Sequence, residues 1–204
     1  TSFGTERVRD LVLVEAVSSE GIRGWGECVA MSWPGYSAEY TDGAIDVMQR
    51  HLLPALRELP LGADPQAVRE ALDVVRGHPM AKSALSTALL DAWLRARGES
   101  LGSYLGATRD RIDCGVSVGI PAAESIEALL EEVGSYIDAG YRRIKLKIEP
   151  GWDLKPVAAV RGAWPGVPLQ VDANQAYTRS HADNLAQLDP FDLILIEQPL
   201  HEED

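Results

Sequence analysis

Lys147, Asp172 and Glu197 each close a short apolar segment, and they stand at equal intervals of 25 residues. A repeating strand–helix unit of that length delivers one charged side chain to the same end of each successive strand. From residue 111 the chain follows that grammar. Strands are predicted at 112–120, 142–148, 169–172 and 193–197, with helices at 124–139, 154–164 and 181–188. Strands alternating with helices imply a parallel sheet with right-handed crossovers. A doubly wound sheet and a (β/α)8 barrel of the TIM type both fit. The strand faces favour the barrel. Alternation puts Ile144, Leu146 and Ile148 on one face and Arg143, Lys145 and Lys147 on the other. Gln170 shares a face with Asp172, Leu193 and Leu195 share one with Glu197, and Gly115, Ser117 and Gly119 form a small-residue face. A doubly wound sheet, covered on both sides, favours strands that are apolar throughout.

Residues 1–110 read differently. Strands at 8–17 and 22–29 flank the turn Ser18-Ser19-Glu20-Gly21. Helices are predicted at 37–56, from Asp64-Pro65 to about Arg76, and at 80–97 with Gly98 as its stop. The expected organisation is an α+β domain at 1–110 and the strand–helix repeats at 111–204.

Composition narrows the function classes. Acids outnumber bases 31 to 19, for a net charge of −12. That is no footprint for nucleic acid. No apolar run is long enough to span a bilayer. Two cysteines, Cys28 and Cys114, make no disulfide framework, so a cytoplasmic location is the default and both are expected to be buried small residues. The five tryptophans are expected to pack, although Trp25 and Trp33 lie near the capping loops, and the histidines are expected to lie at the surface or to cap. Only four of the 19 basic residues are lysine, yet two of them stand at 145 and 147. Lysine, unlike arginine, can have its pKa lowered enough to act as a base.

Two carboxylates level on adjacent strands repel each other unless a cation holds them, and hard oxygen donors suit Mg²⁺. The C-terminal ends of barrel strands are where barrel enzymes carry their sites. A cation there can stabilise the enediolate formed when a proton α to a carboxylate is removed, and a nearby, partly desolvated lysine of depressed pKa can take that proton. Taken one at a time the residues have plainer explanations. Lys145 and Lys147 could guard a sheet edge, Asp172 could cap the next turn, and Glu197-Gln198-Pro199 could be a strand exit.

Ile144-Lys145-Leu146-Lys147, Val171-Asp172-Ala173-Asn174-Gln175-Ala176-Tyr177 and Ile196-Glu197-Gln198-Pro199-Leu200, in this order, resemble the enolase superfamily and its muconate-lactonizing subgroup. The stretch 140–153 is similar to the o-succinylbenzoate synthase/N-acylamino acid racemase family, and Gly24–Met31 and Met80–Leu85 resemble that family's capping domain. The resemblance implies an α+β capping domain followed by a modified TIM barrel, incomplete in this chain. It implies Lys147 as acid/base, Lys145 as the residue that positions it and stabilises charge, and Asp172 and Glu197 as Mg²⁺ ligands. Asn174 would stand behind the ligands, Ser117 near the substrate carbonyl, and Met31, Tyr36 and Phe3 around the acyl or aryl end. The substrate would be a small carboxylate. The reaction would be o-succinylbenzoate synthesis, a dehydration in menaquinone biosynthesis, racemisation of N-acylamino acids, or both. Dipeptide epimerase and muconate cycloisomerase share the scaffold. A homo-oligomer of the full-length protein is left open.

A full barrel takes roughly 250 residues, and the family carries a third acidic ligand on its fifth strand and an opposing lysine on its sixth. Both are expected outside this chain, as is the first capping strand. Residues 1–204 alone are therefore expected to be inactive and aggregation-prone. Two rivals remain at this point: a Schiff-base aldolase using Lys147 without a metal, and a non-catalytic fragment that keeps the fold.

Overall fold

In the computed structural model, residues 7–60, 62–122 and 124–201 are described, and they fall into two units divided at Asp110 and Arg111. In the first unit β1 (Val12–Val17) and β2 (Arg23–Cys28) form an antiparallel hairpin, with Val17 opposite Arg23 and Val12 opposite Cys28. Ser18 builds the turn: its hydroxyl accepts from the N–H groups of Glu20 and Ile22. β1 is shorter than the predicted 8–17. The helix expected from residue 37 begins at Thr41, as α1 (Thr41–Val47), because Met31 and Tyr40 first make a β-bridge. It runs through a π-helical turn, Met48–Leu52, into α2 (Leu53–Arg57). Pro54 offers no N–H to the carbonyl four residues back, and the ladder shifts so that Leu53 N–H donates to Met48 O.

α3 (Pro65–Leu72) starts at Asp64, whose side chain accepts from Ala67 N–H. α4 (Pro79–Arg97) ends at Gly98 in the left-handed conformation, the predicted stop. α5 (Leu101–Tyr104) is capped by Ser100. β2 lies directly against α4. A Cβ on Gly26 would fall 2.0 Å from Ala84 O, and one on Gly24 2.2 Å from Ala88 O. The glycines of Gly-Trp-Gly-Glu-Cys are thus a strand face shaved to backbone, and Ala81, Ala84 and Ala88 shave the facing helix. The N-terminus of α4 has no side-chain cap from its own N-cap residue. Instead the buried Glu39 carboxylate, 41 residues upstream, accepts from Met80 N–H at 2.7 Å and Ala81 N–H at 3.1 Å.

In the second unit β3 (Gly115–Val118), α6 (Ile126–Asp138), β4 (Arg143–Lys147), α7 (Leu154–Ala163), β5 (Leu169–Asp172), α8 (Ala182–Ala186) and β6 (Ile196–Glu197) alternate. The sheet is parallel in the order β3-β4-β5-β6, so each strand is added beside its predecessor on the same side. A doubly wound sheet reverses direction at a switch point; this one does not, and it forms part of a barrel wall. Val118, Ile144, Leu146, Leu169 and Val171 bury against Leu129 and Val133 of α6 and Val157 and Val160 of α7. β3 and β6 are shorter than predicted. Leu195, grouped by alternation with Glu197, is exposed, since a left-handed Asp192 and a 3-10 turn at Asp189–Phe191 leave only two regular residues in β6.

Of the two cysteines expected to be buried, only one is. Cys28 is buried, and burial, against a bond from Ala30 and reinforced by Glu39, holds its thiol above the ordinary range. Cys114 is exposed in the irregular segment before β3. Trp33 and Trp25 are likewise exposed, one on a loop and the other on the outer face of β2, while Trp152 is buried. Among the described residues no helix is long and apolar enough to cross a membrane.

Candidate active site

Equal spacing and a common strand direction leave three charged residues level. Lys147 is the register partner of Asp172, and Asp172 of Glu197. β4 is an interior strand, so the edge-guarding explanation of its lysines does not apply. Alternation turns both lysines away from the core side of Ile144 and Leu146.

Asp172 is the hub. Its side chain is only 2% exposed. One oxygen accepts from Lys147 Nζ at 2.5 Å and lies 3.4 Å from Lys145 Nζ; the other accepts from the Asn174 N–H at 3.0 Å. Lys147 Nζ also donates to Asn174 Oδ1 at 2.6 Å, and Lys145 Nζ donates to Glu197 Oε2 at 3.0 Å. Lys145, Lys147, Asp172, Asn174 and Glu197 therefore form one connected network. Ser117 is the register partner of Lys145 on β3, is exposed, and lines a cavity of about 530 Å³ together with Gly119, Glu124, Lys147, Asp172 and Asn174. Met31 and Tyr36 lie on the loop between β2 and α1 of the first unit. Phe3 lies outside the described residues.

The electrostatics follow from these contacts. Burial opposes ionisation of Asp172, but the bonds from Lys147 and the Asn174 N–H and the charge of both lysines outweigh it, so its carboxyl sits below the usual range. Lys145 is shifted upward, chiefly by its bond to Glu197 and in spite of burial.

The donor set fits Mg²⁺. Asp172 and Glu197 are hard oxygen donors on adjacent strand ends, and the Lys145 ammonium already stands where the two converge. Mg²⁺ is commonly held by one or two carboxylates with water or substrate oxygens completing its shell. Among the described residues no cluster of three acidic, histidine or cysteine side chains adds a further ligand.

Sequence reasoning missed the support of this network. Asp153 is buried; its carboxylate caps α7 at Leu154 N–H and accepts from Tyr177 OH at 3.1 Å and Asn184 Nδ2 at 2.6 Å. An Asp directly before a helix start was the available signal. Nothing in the sequence pairs it with Tyr177.

The Mandelate racemase/muconate lactonizing enzyme N-terminal domain model matches residues 1–106, and the Enolase C-terminal domain-like model matches 128–204. The chain is 55% identical to the N-succinylamino acid racemase of an Amycolatopsis species, over all of this chain and 55% of that protein. It is 43% identical to the o-succinylbenzoate synthase of Geobacillus kaustophilus, over all of this chain and 54% of that protein. Among solved structures, an enolase superfamily member from Listeria innocua superposes with a TM-score of 0.93 at 38% identity, covering all of this chain and 54% of its own. The muconate lactonizing enzyme of Pseudomonas putida gives 0.79 at 29% identity, over 95% of this chain and 55% of its own. The chain thus spans about half the length of the curated relatives it matches. Two successive family models, in the order the two units occupy, and a parallel sheet that brings two lysines and two carboxylates level make the chain a member of the mandelate racemase/muconate lactonizing enzyme family of the enolase superfamily.

Proposed function

We propose that the full-length protein removes the proton α to a carboxylate with the aid of Mg²⁺, as an o-succinylbenzoate synthase, an N-succinylamino acid racemase, or both. The observation that carries this reading is the level register of Lys147, Asp172 and Glu197, with both lysine amines bonded into the carboxylate pair. The activities for which the Amycolatopsis and Geobacillus relatives are named narrow it to these two reactions.

Asp172 and Glu197 would hold the ion, which when bound neutralises the charge that develops on the substrate carboxylate. Lys147 in its neutral form takes the α-proton: the C–H bond breaks, a new N–H bond forms, and the electron pair passes into the enediolate. Asn174 Oδ1 holds the Lys147 amine by accepting one of its protons. Lys145 steadies the carboxylate pair and the negative charge beside it. Ser117, at the mouth of the cavity, would orient the substrate carbonyl. In the dehydration, the Lys147 ammonium returns its proton to the departing hydroxide, which leaves as water. In the racemisation, a second acid must deliver a proton to the opposite face of the carbon. The two outcomes share one intermediate, so stabilising it serves both. The location proposed is cytoplasmic.

The test follows α-deuterium exchange of a succinylated amino acid, and product formation from the cyclohexadiene precursor of o-succinylbenzoate, by the full-length protein with and without Mg²⁺. Exchange that stops with EDTA and returns with Mg²⁺ is expected. Exchange indifferent to EDTA, with Lys147 trapped by borohydride, would replace this reading by Schiff-base chemistry.

A further inference from the structure

The turn that carries Asn174 is held in an unfavourable backbone conformation. Ala176 N–H closes on Ala173 O at 3.0 Å, with Asn174 (φ 44°) and Gln175 (φ 66°) at the two central positions. Positive φ at both central residues is the signature of the primed turns, which take glycine or asparagine; glutamine there is strained. Such a turn persists only where its surroundings over-determine it. Two sets of bonds do so. Gln175 N–H donates to Gln198 O at 2.7 Å and Tyr177 N–H to Pro199 O at 3.0 Å, which zips the loop after β5 to the loop after β6. At the far end of the turn, the Tyr177 ring is buried (1% exposed) and its hydroxyl donates to Asp153, the residue that also caps α7 and accepts from Asn184 on α8.

We propose that Tyr177 and Asp153 are positioning residues for Lys147: their buried bond clamps the strained Ala173–Ala176 turn, and the clamped turn aims Asn174 Oδ1 at the lysine amine. The path is short and continuous, from Asp153 to Tyr177 OH, back through Ala176 and Gln175 of the tight turn, to Asn174 and the 2.6 Å contact with Nζ. Neither Tyr177 nor Asp153 lines the cavity with Lys147. The inference rests on the reading of Lys147 as the base, and it adds which residues hold that base in aim.

The experiment is a double-mutant cycle in the full-length protein with Tyr177→Phe, Asn174→Ala and the pair. Tyr177→Phe keeps the ring and removes one hydroxyl. It should lower kcat about tenfold, equivalent to about 1.4 kcal/mol, with KM changed less than about twofold. Asn174→Ala should cost about 10- to 100-fold in kcat, the usual range for a partner that orients a ligand or base. The double variant should match Asn174→Ala alone, because Tyr177 acts through Asn174. Effects that multiply independently, or a Tyr177→Phe loss that appears in KM alone, overturn the proposal. A second readout needs no turnover: competitive acylation of Lys147 followed by mass spectrometry. Tyr177→Phe and Asn174→Ala should both change the labelling rate of Lys147 in the same direction and by a similar factor, and Asp153→Asn should do so to a lesser degree. A Lys147 rate unmoved by Tyr177→Phe while Asn174→Ala shifts it also overturns the proposal. If the unsubstituted protein exchanges no α-proton at all, the functional reading has failed, and the labelling arm still decides whether the clamp exists.

Discussion

The unit up to Asp110 and the unit from Arg111 pair their charges differently. In the first, the ion pairs Arg50–Asp46 and Arg95–Asp91 are one helical turn apart and solvent-facing, and Arg23–Glu15 crosses the outer side of the hairpin. Pairs of this kind contribute little, about 0–1 kcal/mol. The core of that unit packs Met48, Leu52, Leu72 and Leu85, and where β2 meets α4 it closes by missing side chains, Gly24 and Gly26 against the alanines. In the second unit, two lysines and two carboxylates are drawn together at the sheet end, with Asp172 almost wholly enclosed. Grouped, partly buried charge is costly to assemble, and a fold retains it where chemistry needs it. One unit invests in close backbone approach and the other in a polar site.

That contrast can be broken at its strongest point first. Asp172→Asn should lower α-proton exchange by the full-length protein about 10²- to 10³-fold, the scale for loss of one preorganised charge-stabilising group, and should weaken Mg²⁺ binding measured by calorimetry. Retention of both would remove Asp172 from the site. Gly26→Ala tests the other unit: the new Cβ would meet Ala84 O at 2.0 Å, so a loss of about 3 kcal/mol or more in denaturant melts is expected, with no selective effect on exchange chemistry in the fraction that remains folded. Glu39→Ala leaves two N–H groups at the start of α4 without an acceptor and should cost about 1–2 kcal/mol by the same melts.

Two pH effects sharpen the comparison further. Asp172 has a folded-state pKa below its unfolded value, so its contribution to stability is present above about pH 4 and is lost as pH falls through the folded value. Asp172→Asn should therefore flatten the acid limb of the stability curve. Tyr177 shows the opposite sign. Burial first, and then Asp153, push its phenol well above the ordinary value of 10. Above about pH 10 the unfolded chain gives up that proton and the folded one does not, so stability declines with rising pH. Tyr177→Phe should remove this alkaline decline, and it is the smallest of the expected effects. A Phe variant with an unchanged alkaline limb would mean that the phenol ionises freely in the folded protein.

Much of the site is legible along the chain because a strand has period two and the strand–helix unit has constant length. Equal spacing of Lys147, Asp172 and Glu197 therefore predicts their level ends, and alternation predicts that Lys145 shares a face with Lys147. Element limits are less legible. β6 reads as five residues and has two, because Asp192 turns left-handed just before the predicted start at 193. Helix α1 reads as starting at residue 37 and starts at Thr41, because a bridge between Met31 and Tyr40 takes the chain first.

What the order of residues determined by itself is the alternation of elements, the face each side chain takes and the family motifs, all of which depend on neighbours a few positions away. Only the tertiary structure decided that Glu39 caps a helix 41 residues downstream, that Asp153 bonds Tyr177, and that Lys145 donates to Glu197 from 52 residues away. Those outcomes rest on contacts between distant segments, and hydrogen bonding and charge act through space, with no regard for separation along the chain.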